Sequence, residues 1–386
     1  MKKNIAILGS TGSIGKKLIK IFAKKKNNIN IILLTSNKNY ILLLKQAKLL
    51  DAKNIIITDK KKYEICLKKN KNKKLKIFNS FKDLNKIFKN RADYTMGAIS
   101  GLEGLLPTMQ IIKYTKKIAL ANKESIICGW NLIQKELSRY KTKFIPVDSE
   151  HFSIWYASNN DFANIDKIIL TASGGPLYKL PIKKFKQVKV SQALNHPNWR
   201  MGKKISIDSA TMMNKVFEII EAKNIFGIKY NKLSILAHPA SYIHAIVKFK
   251  TGLIKLVAHD TDMKIPIYNT LDDVFKKKIN TKSIEIEKLN NLDLQKINKN
   301  KFPMTKLLKI LPNKSSLFET VIVSVNDELV NLFLKNKIKF TDISKKLFRI
   351  INSKEFSKYK RISPKNIRQI IELNNYVRLK INSKSI

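Results

Sequence analysis

The sequence predicts an α/β protein: an N-terminal doubly wound parallel sheet, a central α/β domain and a C-terminal helical bundle. Three observations carry that prediction. Short apolar runs alternate with helical stretches through residues 1–147. A glycine-rich turn follows the first of those runs at once. From Lys301 onward the pattern is helical.

In the first part, Ile5–Leu8, Ile29–Leu34, Asn54–Thr58, Tyr94–Met96, Lys117–Ala121 and Lys143–Pro146 read as short buried strands. The helical stretches Lys16–Lys25, Tyr40–Leu50 and Asn131–Arg139 lie between them. This alternation makes residues 1–147 a Rossmann-like nucleotide-binding candidate. A central domain, 148–270, opens with Asp148-Ser-Glu-His151 and contains a strand, Lys167–Thr171, that runs into Ala172-Ser-Gly-Gly-Pro176. The polar segment 173–203 then reads as a lid loop. A helix begins near Ser209, with Asp208 or Ser209 as its N-cap, and runs to about Lys223 with Gly227 just beyond. Residues 271–300 are polar and rich in Lys and Asn, and read as a linker. The bundle, 301–386, is expected from helices at Pro303–Ile310, Ser316–Asn336, Thr341–Ile351 and Ser363–Lys380. A chain of 386 residues exceeds one compact core, as this division requires.

The formal net charge of +48 would draw the chain to nucleic acid or to acidic membrane surfaces. Its lysines, however, are scattered through every segment and accompanied by Asn and Ile, three residues with A/T-rich codons. Short runs at Lys24–Lys26, Lys60–Lys62 and Lys276–Lys278 read as solvated ends and loops. Composition bias accounts for the charge, and no nucleic-acid-binding motif accompanies it. Two cysteines, Cys66 and Cys128, exclude a disulfide framework and a CxxC site. The apolar run at Ile5–Leu8 is too short for a signal-peptide core, and no stretch reaches membrane-spanning length. A soluble, cytoplasmic protein with no membrane partner and no specific nucleic-acid partner is expected.

Gly9-Ser-Thr-Gly12-Ser-Ile-Gly15 lies between the first strand and the first helix. Glycines there let the backbone approach a pyrophosphate, whose charge the helix N–H groups stabilise. The spacing is GxxGxxG, a variant of the dinucleotide fingerprint, and a purely structural turn is the alternative. After the second strand, where an NAD site usually places an acid, the chain reads Thr35-Ser-Asn-Lys-Asn39. Lys38 with the amides of Asn37 and Asn39 suits a 2′-phosphate, which favours NADPH.

All five histidines, His151, His196, His238, His244 and His259, fall within 148–270. Read as an extended segment, Asp148 and Glu150 point the same way and share one cation, Mg²⁺ or Mn²⁺. A solvated surface pair is the alternative. Asn214 and Glu218 are four apart and Lys215 and Glu218 three apart, so they share a helix face able to bind phosphate and metal together. An ordinary exposed Lys–Glu pair is the alternative, weakened by the apolar residues that flank it. His196-Pro-Asn-Trp199-Arg-Met-Gly202 joins an imidazole, a large aromatic and a glycine, as a lid over a charged substrate would. A loop anchored by its Trp fits the same residues.

The runs GSTGSIG, ALANKES, PVDSEH, TASGGP, HPNWRMG, KISIDSATMMNK and AHPASYIHAIV, in this order, resemble the 1-deoxy-D-xylulose 5-phosphate reductoisomerase family of the non-mevalonate isoprenoid pathway. The resemblance covers nearly the whole chain and is weakest at 40–90 and 270–300. It implies that Thr11, Gly12, Ser13, Ile14, Asn37, Lys38, Asn39, Asn122, Glu124 and Gly202 contact NADPH. It implies Asp148, Glu150 and Glu218 as metal ligands, with Co²⁺ an alternative to Mg²⁺ or Mn²⁺. The substrate, a sugar phosphate, would lie against Lys123, Ser149, Glu150, Ser173, His196, Trp199, Ser209, Asn214, Lys215 and Glu218, its phosphate near Ser173, Ser209, Asn214 and Lys215. Lys123, Glu150, His196 and Glu218 would be the catalytic groups. His151 and His244 match family histidines without an assigned role, and a homodimer is implied. Two departures stand out. Arg200 occupies the variable position of HPNWxMG, and Ser324-Val-Asn-Asp-Glu328 stands where the family often has NAANE, so the bundle's packing there is in question.

Other readings explain less. A different Rossmann-type NADP-dependent dehydrogenase, of semialdehyde or homoserine type, accounts for the glycines but not for the three carboxylates. A basic nucleic-acid-binding protein accounts for the charge alone.

Overall fold

A computed structural model describes residues 2–271, 279–283 and 285–383. The chain forms two compact units. The first comprises Met1–Ser125, Asn131–Phe152 and Met263–Asn280; the second comprises Ile126–Trp130, Ser153–Asp262 and Thr281–Ile386. Compactness therefore divides the chain differently from the expected boundaries at 147/148 and 270/271.

The first unit is built on seven strands: β1 (Lys3–Leu8), β2 (Ile29–Ser36), β3 (Asn54–Ile57), β4 (Lys76–Phe78), β5 (Tyr94–Gly97), β6 (Lys117–Leu120) and β7 (Lys143–Pro146). They lie in the order β4-β3-β2-β1-β5-β6-β7, every pairing parallel. The strand order changes direction between β1 and β5, which opens a ligand crevice at their C-terminal ends. All six expected strands are present. β4 escapes a reading by apolar runs because it is only three residues long and begins with lysine. Helices cover the sheet, so β1 is apolar and buried from Ile5 to Leu8, and Ile5, Ile7, Leu18, Phe22, Ile55 and Tyr94 are buried in one core. Ile267 and Leu271 join that core, and Tyr94 Oη lies 2.8 Å from Thr270 Oγ1, which is why residues 263–280 belong to this unit.

The second unit carries a mixed sheet of β8 (Ile165–Ala172), β9 (Leu233–Ala237), β10 (Ile243–Phe249), β11 (Ile254–Ala258) and β12 (Gln295–Lys296), in the order β11-β10-β8-β9-β12. β8 and β9 are parallel and the other pairings antiparallel. The supposed linker is partly built in: it forms a short helix, Ile286–Asn290, and its Gln295–Lys296 segment extends the sheet along β9. Backbone hydrogen bonds alone make that pairing, so it leaves no apolar signature. Within 271–300, residues 272–278 and 284 lie outside the described residues, and with them the run Lys276–Lys278.

Helices Phe318–Leu334, Phe340–Ile351 and Ile367–Ser383 appear where helical periodicity placed them. Pro303–Lys309 is a 3₁₀ segment rather than an α-helix, and a short helix, Lys354–Ser357, is added. Packing accommodates the Ser324–Glu328 departure with most of its polar side chains paired. Ser324 Oγ lies 2.8 Å from Asn374 Oδ1, while Asp327 and Glu328 both pair with Arg378. Among the described residues, no helix is long and apolar enough to cross a membrane.

Candidate active site

In the first unit the glycine turn sits at the end of β1, in the crevice. Gly9 has φ +77°, and a Cβ there would lie 2.6 Å from the carbonyl oxygen of Ala98, in the loop after β5. Only glycine allows β1 and β5 to deliver their loops so close together. Gly15 meets the backbone of Gly9 and Ser10 in the same way. The turn is fixed to β2: Gly9 N donates to Thr35 Oγ1 at 2.9 Å, and Thr11 Oγ1 lies 2.8 Å from Ser36 Oγ. Ser10 bonds in both directions with Gln46. Gly12 caps the Ser13–Ala23 helix without a side chain, and no acid stands in the first turn. The helix N-terminus can thus receive an anion, which fits the phosphates of a dinucleotide.

The 2′-phosphate candidates divide. Asn39 caps the Tyr40–Leu50 helix through Leu42 N, and Asn37 Nδ2 donates to Thr58 Oγ1 at 2.8 Å. Lys38 is the exposed cation between them. Asn122 also has a structural task. It caps the Lys123–Arg139 helix through Ser125 N and donates to the carbonyls of Ile99 and Gly101. Glu124 lies buried in that helix's first turn, where the dipole favours its charge.

Lys123 follows β6 and Asp148 follows β7. These strands are parallel neighbours, so their C-terminal loops emerge side by side, and Lys123 Nζ stands 2.9 Å from Asp148 Oδ2. Asp148 and Glu150 are not on an extended segment as expected. β7 ends at Pro146 and a helix, Ser149–Ser158, starts at once, with Asp148 O accepting from Phe152 N. Carboxylate oxygens of Asp148 and Glu150 still come within 4.8 Å of each other, because both lie at the helix start. Two hard oxygen donors at that separation fit one divalent cation. Ser149 Oγ donates to Glu150 Oε2 at 2.6 Å, and His151 is fully buried with Nδ1 4.0 Å from Asp148 Oδ2.

The second unit gathers the phosphate candidates. The single helix expected from Ser209 to Lys223 is two, Lys203–Ala210 and Met213–Phe226. Asp208 and Ser209 are therefore no N-cap; they lie in the last turn of the first helix. The chain breaks at Met212, held left-handed at φ 64°, and Gly227 ends the second helix as expected. Continuous apolar character across Met212 and Met213 hides this break in the sequence. Met212 supplies no side-chain cap and the first turn has no acid, so Asn214 and Lys215 stand at a helix N-terminus open to an anion. Glu218 is buried and receives both: Lys215 Nζ at 2.5 Å on Oε2 and Asn214 Nδ2 on Oε1. Burial removes the ordinary surface-pair reading of this face.

Ser173 enters the same corner from the end of β8. Gly175, at φ +70°, lies so near the Ser209 carbonyl oxygen that a Cβ would come within 2.6 Å of it. Ser173 Oγ lies 3.0 Å from His196 Nε2. His196 Nδ1 accepts from the backbone N–H groups of Asn198 and Trp199, so the proton of the neutral ring is on Nε2 and faces Ser173. Burial, then the neighbouring Lys215 charge, lowers the His196 pKa to about 4. The ring of Trp199 meets that of His244 edge-on at 6.0 Å, and Asn198 Nδ2 bonds Pro239 O and Ser241 Oγ. Segment 173–203 also contains two short helices, Ile182–Gln187 and Val190–Leu194, and buries Phe185 against Phe302 and Phe340. Gly202 begins the Lys203–Ala210 helix, with open space where a Cβ would stand.

Lys204 and Asn326, which hold Asp208 from either side, were missed. The i,i+4 spacing of Lys204 and Asp208 is visible in the sequence, but Asn326 is 118 residues away from Asp208 and nothing local points to it. Cys128 is buried, which leaves the semialdehyde alternative without an exposed thiol.

Three family descriptions match the chain. Residues 5–129 match 1-deoxy-D-xylulose 5-phosphate reductoisomerase, residues 144–226 its C-terminal domain, and residues 259–380 a second DXP reductoisomerase C-terminal domain. The 1-deoxy-D-xylulose 5-phosphate reductoisomerase of Pelagibacter ubique (strain HTCC1062) is 59% identical over 387 residues, covering 100% of both chains. That of Wolbachia pipientis wMel is 41% identical over 88% of each. Among solved structures, the Zymomonas mobilis reductoisomerase in complex with NADPH superposes with a TM-score of 0.87 at 31% identity, over 98% of both chains. A DOX-P reductoisomerase in complex with NADPH, fosmidomycin and magnesium gives 0.90 at 29%, over 99% of this chain and 98% of the other. Fold, site chemistry and whole-length identity agree: the chain belongs to the 1-deoxy-D-xylulose 5-phosphate reductoisomerase family.

Proposed function

We propose that this chain converts 1-deoxy-D-xylulose 5-phosphate to 2-C-methyl-D-erythritol 4-phosphate, with NADPH and a divalent cation, for isoprenoid precursor synthesis. The observation that carries this reading is the corner of the second unit. There Ser173, Ser209, Asn214 and Lys215 meet an uncapped helix N-terminus, beside a neutral His196 and a buried Glu218. Such a corner suits a sugar phosphate. Relatives solved with NADPH, and with NADPH, fosmidomycin and magnesium, support the cofactors.

Asp148, Glu150 and Glu218 are the proposed metal ligands, and Mg²⁺ or Mn²⁺ the ion, because all three offer hard oxygen donors. When bound, the cation supplies polarisation of substrate oxygens and NADPH supplies the hydride for the reduction. The protein's own groups position and neutralise. Lys215 and Asn214 hold the phosphate with Ser173 and Ser209. Lys123 places its ammonium beside the oxygens on which negative charge grows. His196, neutral, donates from Nε2 rather than adding charge. Gly9 to Gly15 seat the pyrophosphate and Lys38 the 2′-phosphate, with Ser149 against the substrate. The His196–Gly202 segment, with Trp199, closes over the substrate and excludes water. The enzyme works in the cytoplasm as a homodimer.

The test is NADPH oxidation with 1-deoxy-D-xylulose 5-phosphate, with and without Mg²⁺ or Mn²⁺. Metal-dependent turnover that forms 2-C-methyl-D-erythritol 4-phosphate is expected; turnover unaffected by EDTA would refute the metal assignment. Light scattering in solution checks the dimer.

A further inference from the structure

We infer that Asn326, on the Phe318–Leu334 helix, is a positioning residue for the phosphate corner and acts through Asp208. This rests on the assignment of Ser209, Asn214 and Lys215 to the substrate phosphate. Asp208 is the residue before Ser209, and its side chain is 1% exposed. Asn326 Nδ2 donates to its Oδ1 at 2.7 Å, and Lys204 Nζ stands 3.2 Å from its Oδ2. Lys204 also pairs with Asp327 at 3.0 Å and lies over the Phe217 ring at 5.2 Å, so the ammonium is held in place.

Two consequences follow for the corner. The first is steric. The turn after Ser209 passes through the left-handed Met212, a conformation that persists only where its surroundings determine it. Gly175 packs on the Ser209 carbonyl from one side. On the other, the Asp208 side chain is bolted to a helix more than a hundred residues further along the chain. The last turn of Lys203–Ala210 is thereby clamped, and with it the direction in which Ser209 presents its hydroxyl. The second consequence is electrostatic. A buried carboxylate next to a phosphate site repels the ligand unless it is compensated. Here Lys204 neutralises it at 3.2 Å and Asn326 donates to its other oxygen, so loss of Asn326 leaves a buried carboxylate oxygen beside Ser209 without its hydrogen bond.

The experiment compares Asn326→Ala, Asn326→Asp and the exchange Asp208→Asn/Asn326→Asp with the unmodified enzyme. It reads kcat, KM for 1-deoxy-D-xylulose 5-phosphate and for NADPH, the inhibition constant of inorganic phosphate, and thermal melting. Asn326→Ala should raise the substrate KM and the phosphate inhibition constant about tenfold, the scale of one hydrogen bond to a charged group, with kcat and the NADPH KM within about twofold. Asn326→Asp should do more, by setting carboxylate against carboxylate, and the exchange should recover most of the loss. Lys215→Ala serves as the control for the phosphate assignment. If it weakens phosphate inhibition while Asn326→Ala does not, the positioning role is refuted and the phosphate reading stands. If neither variant changes phosphate inhibition, the phosphate reading falls and the positioning role with it. Should Asn326→Ala lower kcat, NADPH binding and melting together, and the exchange repair none of them, Asn326 is a packing residue and the inference is wrong.

Discussion

Nε2 of His196 stands 3.0 Å from Oγ of Ser173, while Nδ1 of the same ring accepts from two backbone N–H groups. That arrangement requires the neutral tautomer protonated on Nε2, and burial beside Lys215 lowers the pKa to about 4. His196 is therefore a fixed hydrogen-bond donor in the pH range where free imidazole titrates. Its ring resonances should stay flat from pH 8 to about pH 5 and move only near pH 4. The linkage has a definite sign. The folded pKa lies below the ordinary 6.5, so the unfolded chain takes up the proton first. Stability contributed by the neutral ring is present above pH 6.5 and lost as pH falls toward 4. His196→Asn should flatten the urea midpoint in that window; an unchanged slope would count against the assignment.

Glu218→Gln should reduce kcat roughly a thousandfold, the scale of removing one charged group from a preorganised site. Dissociation of NADPH, measured by fluorescence, should change little, because the glycine turn belongs to the other unit. A Gln variant with full activity would exclude Glu218 as a metal ligand.

Lys38 is the exposed cation between two asparagines whose amides are already engaged. Lys38→Glu should therefore cut kcat/KM for NADPH about tenfold or more while leaving NADH nearly unaffected, since only the former carries the repelled 2′-phosphate. Equal kcat/KM for the two cofactors in the unmodified enzyme would refute the reading of Thr35–Asn39.

Gly9→Ala forces a Cβ to within 2.6 Å of Ala98 O at φ +77°. We expect a loss of about 2–3 kcal/mol in stability, or local displacement of the turn with loss of NADPH affinity. Calorimetry and cofactor titration check this, and wild-type values in both would show that the turn tolerates a side chain.

Glu319 is buried on the Phe318–Leu334 helix, where burial raises its pKa to about 7 against the hydrogen bonds from Ser316 and the Lys223 charge. The folded chain binds this proton more tightly than the unfolded one. Its contribution is thus fully present below pH 4.5 and is lost as pH rises through 7. Glu319→Gln should raise stability above pH 7 by roughly 2 kcal/mol and remove that slope. A destabilised Gln variant at pH 8 would reverse the conclusion.

The sequence by itself determined the parallel sheet and the glycine turn and singled out the candidate site residues, because these depend on local chemistry. Apolar runs bounded by turns make buried strands, and glycines mark the turn at Gly9–Gly15. The three-residue β4, which begins with lysine, and the two-residue β12 stayed hidden because each is too short to carry a periodic pattern. Other features were decided only by tertiary structure. Apolar periodicity runs without a break from Ile207 to Ile220, yet packing turns the chain at Met212 and moves Asp208 and Ser209 from a helix start to a helix end. Asp148 and Glu150 stand out by type and spacing, but the helix that begins at Ser149, rather than a strand pleat, sets their directions. Lys123 reaches Asp148 because β6 and β7 are neighbours in the sheet, an adjacency that spacing along the chain does not encode. Asn326 reaches Asp208 across 118 residues because the Phe318–Leu334 and Lys203–Ala210 helices pack together, which spacing along the chain does not encode either. Periodicity records which face of an element is buried, whereas the partner across that face is chosen when the whole chain packs.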